Sequence, residues 1–302
     1  MNPKIGVVIL NWNNWSDTVA CVDAVRKINY PWEDLVPIIV DNGSTDESVS
    51  KFAQLDDVTL VKLDENLGFA AGNNAGIQFA LSKGCDYVLL LNNDTKLTAN
   101  FLHPLLELFS NEQNVGIVSP KIYYTEPANK IWYAGGKFKE PRILGELIGM
   151  DQLDTGQFDQ SRAVDFAVGA CMLIDKKVFE KIGYLDDVLF FYHEDVDFSY
   201  RAGRQGFAIW FQPRSIIFHD VSYSTQANLP HRTYLYAQAR TVFLFKHIRG
   251  IKIPLVLFLE IIRLLRSTVK YLLLGQLDHA SSYIRGVIDG LIKSWPIYFS
   301  LA

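Results

Sequence analysis

VPIIVDNGSTD, residues 36–46, is a short β-branched run that ends on an acid and breaks into a turn. Val and Ile suit a pleated, buried strand, whereas Asp, Asn, Gly and Ser make turns and cap helices. The pattern repeats on both sides. Upstream, KIGVVIL (4–10) reads as a strand leading into NWNN (11–14), with Ser16 and Asp17 placed to cap a helix over 17–28. Downstream of the turn, a helix is expected near 46–53 and a third strand at VTLVKL (58–63). ENLGFAAGNN (65–74) then opens a helix over 70–83, and DYVLLL (86–91) is a fourth strand ending at LNNDT. Alternation of strand and helix through the first 100 residues predicts an α/β fold, a Rossmann-like and mostly parallel sheet flanked by helices.

Polar clusters close each strand: NWNN at 11–14, DNGSTD at 41–46, ENLG at 65–68 and NND at 92–94. Open α/β sheets bind ligands beyond the carboxyl ends of their strands, so the four clusters converge on one crevice. Any single cluster is as readily a plain turn. In the second half, VGIVSPKIYY (115–124) and VDFAVGACMLI (164–174) read as strands, 175–183 as a helix, and 208–220 as strand-like; 125–162 is loop-rich and is expected to form a mobile flap.

The 302-residue chain has a formal charge of −4, which excludes a general electrostatic attraction to nucleic acid. From residue 241 onward, eight Lys/Arg face three Asp/Glu, a net +5 that leaves −9 for the first 240 residues. The tail is helical in pattern. Its stretch 251–274 is long enough to span a bilayer but contains Lys252, Glu260, Arg263, Arg266 and Lys270. With Glu260, Arg263 and Lys270 on one face, it reads as an amphipathic helix lying on a membrane surface, Arg263, Arg266 and Lys270 toward anionic lipid. The protein's own body or a second subunit is the alternative partner. Cys21, Cys85 and Cys171 form no CxxC pair, and the N-terminus lacks a signal-peptide layout, so a cytoplasmic protein is expected.

Three places can carry chemistry. Asp94 follows a buried strand beside Asn92 and Asn93, an oxygen-rich setting that suits Mg²⁺ or Mn²⁺. His219 in IIFHD could join it as a ligand across a cleft. Glu194, Asp195 and Asp197 lie among aromatic residues, where bunched acids can raise one pKa and create a base. Asp197 fits a helix N-terminus better and can pair with Arg201 four residues on. No GxGxxG follows the first strand, and there is no Walker A sequence and no GxSxG elbow.

In VVILNWNN (7–14), IIVDNGSTD (38–46), ENLGFAAGNNAG (65–76), YVLLLNNDT (87–95), VGACMLIDKKVFEKIGYLDD (168–187) and FFYHEDVDFSYRAGRQG (190–206), the chain resembles the inverting family 2 glycosyltransferases of the GT-A fold, in particular the rhamnosyltransferase-like branch. The resemblance covers about residues 4–245 and implies roles position by position. Asp41 would bind the nucleotide base, with Asn11 and Asn13 beside it. Asn66, Gly68 and Asn73 would line the nucleotide and diphosphate. Asn93 and Asp94 would end the DxD motif with Asp94 on the metal, although Asn92 stands where the first acid is usual. His219 would be the later metal ligand, Asp195 the catalytic base and Glu194 its acceptor-binding neighbour. Arg240 falls near the family's basic residue after the last strand, with Thr241 where Asn is usual.

These roles fit the needs of glycosyl transfer: a cation on the leaving diphosphate, a base for the acceptor hydroxyl, and a rigid pocket. The expected protein is an inverting, metal-dependent transferase in which residues 1–245 form the catalytic domain (1–100 for nucleotide, 101–245 for acceptor). Residues 246–302 are then a membrane-associating or oligomerising tail. Its donor would be a dTDP- or UDP-linked sugar, rhamnose as first guess. The acceptor would be a glycan or lipid-linked saccharide at the inner face of the cell membrane. A sugar-phosphate nucleotidyltransferase and an inactive sugar-nucleotide-binding scaffold are the alternatives.

Overall fold

The computed structural model describes residues 2–220 and 229–300. The chain divides into two compact units. A sheet unit comprises Met1–Lys137, Gly145–Asp187 and Glu194–Val221; a helical unit comprises Phe138–Leu144, Val188–His193 and Ser222–Ala302.

In the sheet unit, β1 (Ile5–Asn11), β2 (Leu35–Asn42), β3 (Thr59–Leu63) and β4 (Tyr87–Asn92) are parallel, in the spatial order β3-β2-β1-β4. Crossovers run through α1 (Trp15–Val25), α2 (Ser48–Phe52) and α3 (Gly68–Ser82). Val8, Ile38, Val40, Ile77, Val88 and Leu90 are wholly buried in the core between sheet and helices. Their burial fixes the register, because a one-residue slip would turn the apolar set outward. Ile5 pairs with Leu35 and Asn11 with Asp41, so the polar ends of neighbouring strands lie level.

The second half of the unit breaks the parallel pattern. After β5 (Thr95–Leu97) and α4 (Leu102–Asn111) come β6 (Val115–Tyr124), β7 (Ile131–Tyr133), β8 (Gly136–Lys139), β9 (Leu144–Leu147), β10 (Arg162–Val164), β11 (Cys171–Asp175), α5 (Lys176–Ile182), α6 (Glu194–Arg204) and β12 (Ala208–His219). Strand β11 enters antiparallel between β4 and β6, and β12 lies parallel to β6 and antiparallel to β5 and β10. The single strand expected over 164–174 is two strands, because the backbone between them bonds to side chains: Ser199 Oγ accepts from Ala167 N at 3.2 Å, and Phe166 O from Tyr133 OH at 2.9 Å. The expected flap over 125–162 carries three short strands. It is tied to the sheet by Lys121, 2% exposed, whose ammonium lies 2.8 Å from Asp154 and 2.6 Å from Asp159.

The helical unit holds α7 (Leu229–His247), α8 (Lys252–Leu273) and α9 (Leu277–Ser300). Helices α7 and α9 approach closely at Gly286 and Gly290, where an added Cβ would sit 2.4 Å from Tyr234 O and 2.7 Å from Gln238 O. Two short segments complete the unit. Phe138 stacks on Phe243 at 6.4 Å, and Leu189 is buried against Ala239 and Val242. Among the described residues, no helix is long and apolar enough to cross a membrane.

Candidate active site

A continuous hydrogen-bond chain joins the carboxyl ends of β4, β1 and β2. Asn93 Nδ2 donates to Thr18 Oγ1 at 2.9 Å, and Thr18 in turn donates to Asn11 Oδ1 at 2.7 Å. Asn11 Nδ2 donates to Asp41 Oδ1 at 2.9 Å, while Ser44 N donates to Asp41 Oδ2 at 3.1 Å. Asn11 and Asp41 are buried, and both Asp41 oxygens are engaged inside the protein. Asn13, at φ 53°, accepts from Thr45 N at 2.7 Å and from Asp46 N at 3.3 Å, clasping the turn after β2 to the turn after β1. This αL geometry is one that Asn tolerates better than most residues.

A second clasp holds the loop before α3. Asn42 Oδ1 accepts from Leu67 N at 3.0 Å, and its amide donates to Asn66 Oδ1 at 3.0 Å and Gly68 O at 3.1 Å. Asn66 Oδ1 also accepts from Gly68 N at 2.9 Å, and Gly68 opens α3 at φ 86°, where a side chain would be strained. Asn73 is buried one turn into α3 and donates to Phe69 O at 2.9 Å.

Strand β5 brings Asp94 and His219 together. Its antiparallel pairing sets Thr95 opposite His219, and Asp220 N donates to Asp94 O at 2.9 Å. His219 Nε2 then lies 3.0 Å from Asp94 Oδ1, with the two side chains 8% and 10% exposed. Asp94 Oδ1 and His219 Nδ1 are buried with no hydrogen-bond partner. The His219 ring stands edge-on to Trp132 at 4.6 Å. A carboxylate oxygen that lies 3.0 Å from an imidazole nitrogen and has no other hydrogen-bond partner fits a divalent cation: two neighbouring ligands of an octahedral ion at about 2.1 Å stand about 3 Å apart. Among the described residues, no group of three or more His, Cys, Asp or Glu is placed to hold a metal. A cation here would depend on oxygens from water or a bound phosphate, the usual case for Mg²⁺.

The acid pair sits at the start of α6. Asp195 Oδ2 accepts from Gly169 N at 2.8 Å and its Oδ1 from Val196 N at 2.7 Å. Gly169 lies next to Ala170, whose carbonyl accepts from Asn92 N at 3.0 Å, so the bend before β11 links Asp195 to the end of β4. Burial raises the Asp195 pKa, against the lowering effect of the Gly169 and Val196 N–H groups. Glu194 is buried with Oε2 unpartnered, and burial, followed by the Asp195 charge, lifts its pKa well above the carboxylate range. Burial therefore favours the protonated form of both acids. Asp197 is fully buried and paired with Arg201 at 2.8 Å, the structural role its spacing predicted.

Arg240 belongs to the helical unit, on α7; it is 3% exposed and donates to Glu260 Oε1 at 2.7 Å. Sequence reasoning missed Gly169, Thr18 and Asn42. Gly169 and Thr18 act through groups no motif distinguishes, a main-chain N–H and a helix hydroxyl. Asn42 stood in the polar cluster after β2, and its place there was the available signal.

Strand ends lined with amides, a carboxylate–imidazole pair and a buried acid pair lie on the α/β sheet unit, and sheets of this kind bind ligands beyond the carboxyl ends of their strands. Residues 6–183 match the model of glycosyl transferase family 2, and the chain belongs to that family. It is 33% identical over 175 residues to a low-salt glycan biosynthesis hexosyltransferase of Haloferax volcanii, the match covering 57% of this chain and 54% of that protein. It is 23% identical to the dTDP-rhamnosyl transferase RfbF of Shigella flexneri over 96% of each chain. An N-acetylglucosaminyl-diphospho-decaprenol L-rhamnosyltransferase of Mycobacterium tuberculosis is 24% identical over 62% of this chain and 67% of its own. Two solved structures share the fold. GalNAc-T7 with UDP, GalNAc and Mn²⁺ has a TM-score of 0.64 at 18% identity, over 80% of this chain and 47% of that one. A Pyrobaculum calidifontis mannosyltransferase with GDP-Man and Mn²⁺ has a TM-score of 0.59 at 15% identity, over 98% and 88%. The chain is a glycosyltransferase with a GT-A-type mixed α/β fold.

Proposed function

We propose that the protein moves a sugar, rhamnose as first choice, from a dTDP- or UDP-linked donor to a hydroxyl of a glycan or lipid-linked saccharide, inverting the anomeric carbon. The observation that carries this reading is the buried, unpartnered Asp94 Oδ1 beside His219 Nε2. The relatives' names support the sugar and the acceptor class. Asp94 and His219 would hold Mg²⁺ or Mn²⁺, and such a cation neutralises charge developing on a leaving diphosphate.

The remaining work falls to the chain itself. Asn11, Asn13, Asp41, Asn66, Gly68, Asn73 and Asn93 form the nucleotide-sugar side, with the two clasps holding their loops rigid before substrate arrives. Asp195 accepts the proton of the attacking hydroxyl. Two backbone N–H bonds fix its carboxylate, and a raised pKa makes it a stronger base than a solvated Asp. Glu194, protonated, donates a hydrogen bond to the acceptor, and Arg240 is kept as an acceptor-binding residue of the helical unit. Attack from the base's side, opposite the leaving group, inverts the centre in one displacement. Residues 1–245 carry the chemistry.

The tail is proposed to rest peripherally on the inner face of the cell membrane by its apolar face, as the sequence reading has it, with Arg263 taken out of the lipid-facing set. Arg263 is turned inward, donating to Tyr283 OH at 3.3 Å, and Glu260 is paired with Arg240. The outward row on α8 is Leu255, Phe258, Ile261, Leu265, Val269 and Leu272, each at least 50% exposed. Exposed Arg266 and Lys270 on the same helix accompany it, and they supply the attraction to anionic headgroups.

A donor screen tests the reading. Purified protein with an acceptor extract should release nucleoside diphosphate from dTDP-rhamnose, only with Mg²⁺ or Mn²⁺ present, and NMR should show the inverted linkage. Pyrophosphate as the released product would mean nucleotidyl chemistry instead.

A further inference from the structure

Among the described residues of the helical unit, Glu260 is outnumbered by the guanidiniums gathered around it. Glu260 Oε1 accepts from Arg240 Nη2 at 2.7 Å and lies 3.4 Å from Arg142 Nη1. Arg263, half-buried, sits near enough to Arg240 that its charge, after burial itself, helps pull the Arg240 pKa down to about 10. Glu260 is the carboxylate that acts on both Arg240 and Arg263. Arg142 and Arg240 therefore share one acid, and Arg263, which donates to Tyr283 OH at 3.3 Å, adds a third guanidinium nearby, an excess of two positive charges over Glu260. Arg240 Nε and Nη1 are buried without a hydrogen-bond partner, although the residue is 3% exposed. A guanidinium is always charged and offers five N–H donors, so leaving two of its nitrogens dry and unpaired is unfavourable.

We propose that Arg142, Arg240 and Arg263 form a binding site for a phosphate or diphosphate group, separate from the residues that hold the donor. A monocarboxylate would cancel one of the two surplus charges. A phosphate ester carries up to two negative charges and several acceptor oxygens, and guanidinium forks match it. Glu260 serves as the internal counter-ion that holds the three arginines in place when the site is empty. This extends the acceptor-side reading of Arg240 by giving that contact a chemistry. The anion can come from a lipid-linked acceptor or from free phosphate in solution.

Calorimetric titration of the full chain in EDTA at low salt, without donor, tests it. The probes are inorganic pyrophosphate and geranyl phosphate. The wild type should bind at least one. Binding of geranyl phosphate alone identifies the lipid-linked source, whereas binding of pyrophosphate alone identifies the free one. Arg142→Gln, at a partly exposed position, should weaken binding about tenfold, as expected for losing one charge-assisted contact. Arg240→Gln should do the same or more, provided its circular dichroism is unchanged. Glu260→Gln should tighten binding several-fold, since it removes the competing carboxylate; damage to the fold would not strengthen binding. Asp94→Ala should leave it unchanged, which separates this site from the metal-dependent crevice. No binding of either probe by the wild type, or affinities within twofold in both Arg142→Gln and Glu260→Gln, overturns the proposal. The readout needs no turnover. If transfer fails with every donor while binding follows these variants, the anion site stands and the transferase reading falls.

Discussion

The sheet unit and the helical unit place their polar groups in opposite ways. In the sheet unit, Val8, Ile38, Ile77 and Leu90 are buried, and the amides and acids gather at strand ends. Those polar groups bond mostly to one another, as in the chain from Asn93 through Thr18 and Asn11 to Asp41. In α8 the arrangement is inverted: Glu260 is drawn in toward Arg240, while Leu255, Phe258, Ile261 and Leu265 face outward. A helix with this layout is stable in isolation only at a loss, because its apolar row stays in water. The first layout suits the small polar ligand proposed for the sheet unit, and the second suits the apolar surface proposed for the tail. Within the sheet unit the polar atoms left unpartnered include Asp94 Oδ1, His219 Nδ1 and Glu194 Oε2, at the positions proposed for chemistry.

The largest expected effect is at Asp195, next to Glu194; the two Asp195 oxygens are held by backbone N–H groups. Asp195→Asn keeps the shape and removes the proton acceptor, so kcat should fall by about 10²–10⁴-fold while nucleotide binding holds. Asp94→Ala should instead weaken metal-dependent donor binding, and His219→Ala should do so less, since a neutral ligand is lost rather than a charged one. Nucleoside diphosphate release and calorimetry with and without Mn²⁺ separate the cases. Turnover of Asp195→Asn within a few-fold of wild type removes it from the base role.

How much of this was legible depended on whether the signal was local. The strands and helices of residues 4–92 were readable because β-branched runs and turn residues alternate without ambiguity, and α8 was placed within a residue at each end. Asp94 and His219 were each recognisable as ligand types. Their meeting was not derivable from spacing, because it depends on β5 pairing with the far end of β12, 124 residues of register away from Thr95 at His219. The outward apolar row of α8 is the face expected from the sequence, but the place of Arg263 was misread for a similar reason. Glu260 and Arg263 share a helical face, but whether that face is wet or buried is decided by Arg240 and Tyr283 on other helices.

A matched pair of truncations sharpens the contrast at a smaller scale. Leu89→Ala, at a wholly buried position of β4, should cost about 2–5 kcal/mol. Leu265→Ala, on α8 and 60% exposed, should change stability by about 0.5 kcal/mol or less. The two should exchange rank in a sedimentation assay with anionic vesicles. There Leu265→Ala, combined with Phe258→Ala, should reduce binding, and high salt should weaken the wild type further by screening Arg266 and Lys270. If full-length protein ignores vesicles at low salt, the outward row is a subunit interface, and light scattering should then show a smaller assembly for the double variant.

The smallest effect concerns pH, and it probes the acid pair directly. Burial holds the Glu194 pKa well above that of an unfolded chain, so the native state binds the extra proton between the two values. Stability is then fully present below the unfolded pKa of about 4.3 and falls as pH rises toward the folded one. Each pH unit in that window removes about 1.4 kcal/mol, the reverse of the usual salt-bridged carboxylate. Glu194→Gln carries no titrating proton and should flatten this part of the profile, read as Tm against pH. Asp195 is also raised by burial, so the acidic limb of kcat should lie above the ordinary Asp value near 3.9 in both proteins. Because neutral Gln resembles protonated Glu, the limb itself should stay in place in the variant. A limb that moves with Glu194→Gln would mean that Glu194 is ionised during turnover, and it would shift the base assignment from Asp195 alone to the pair.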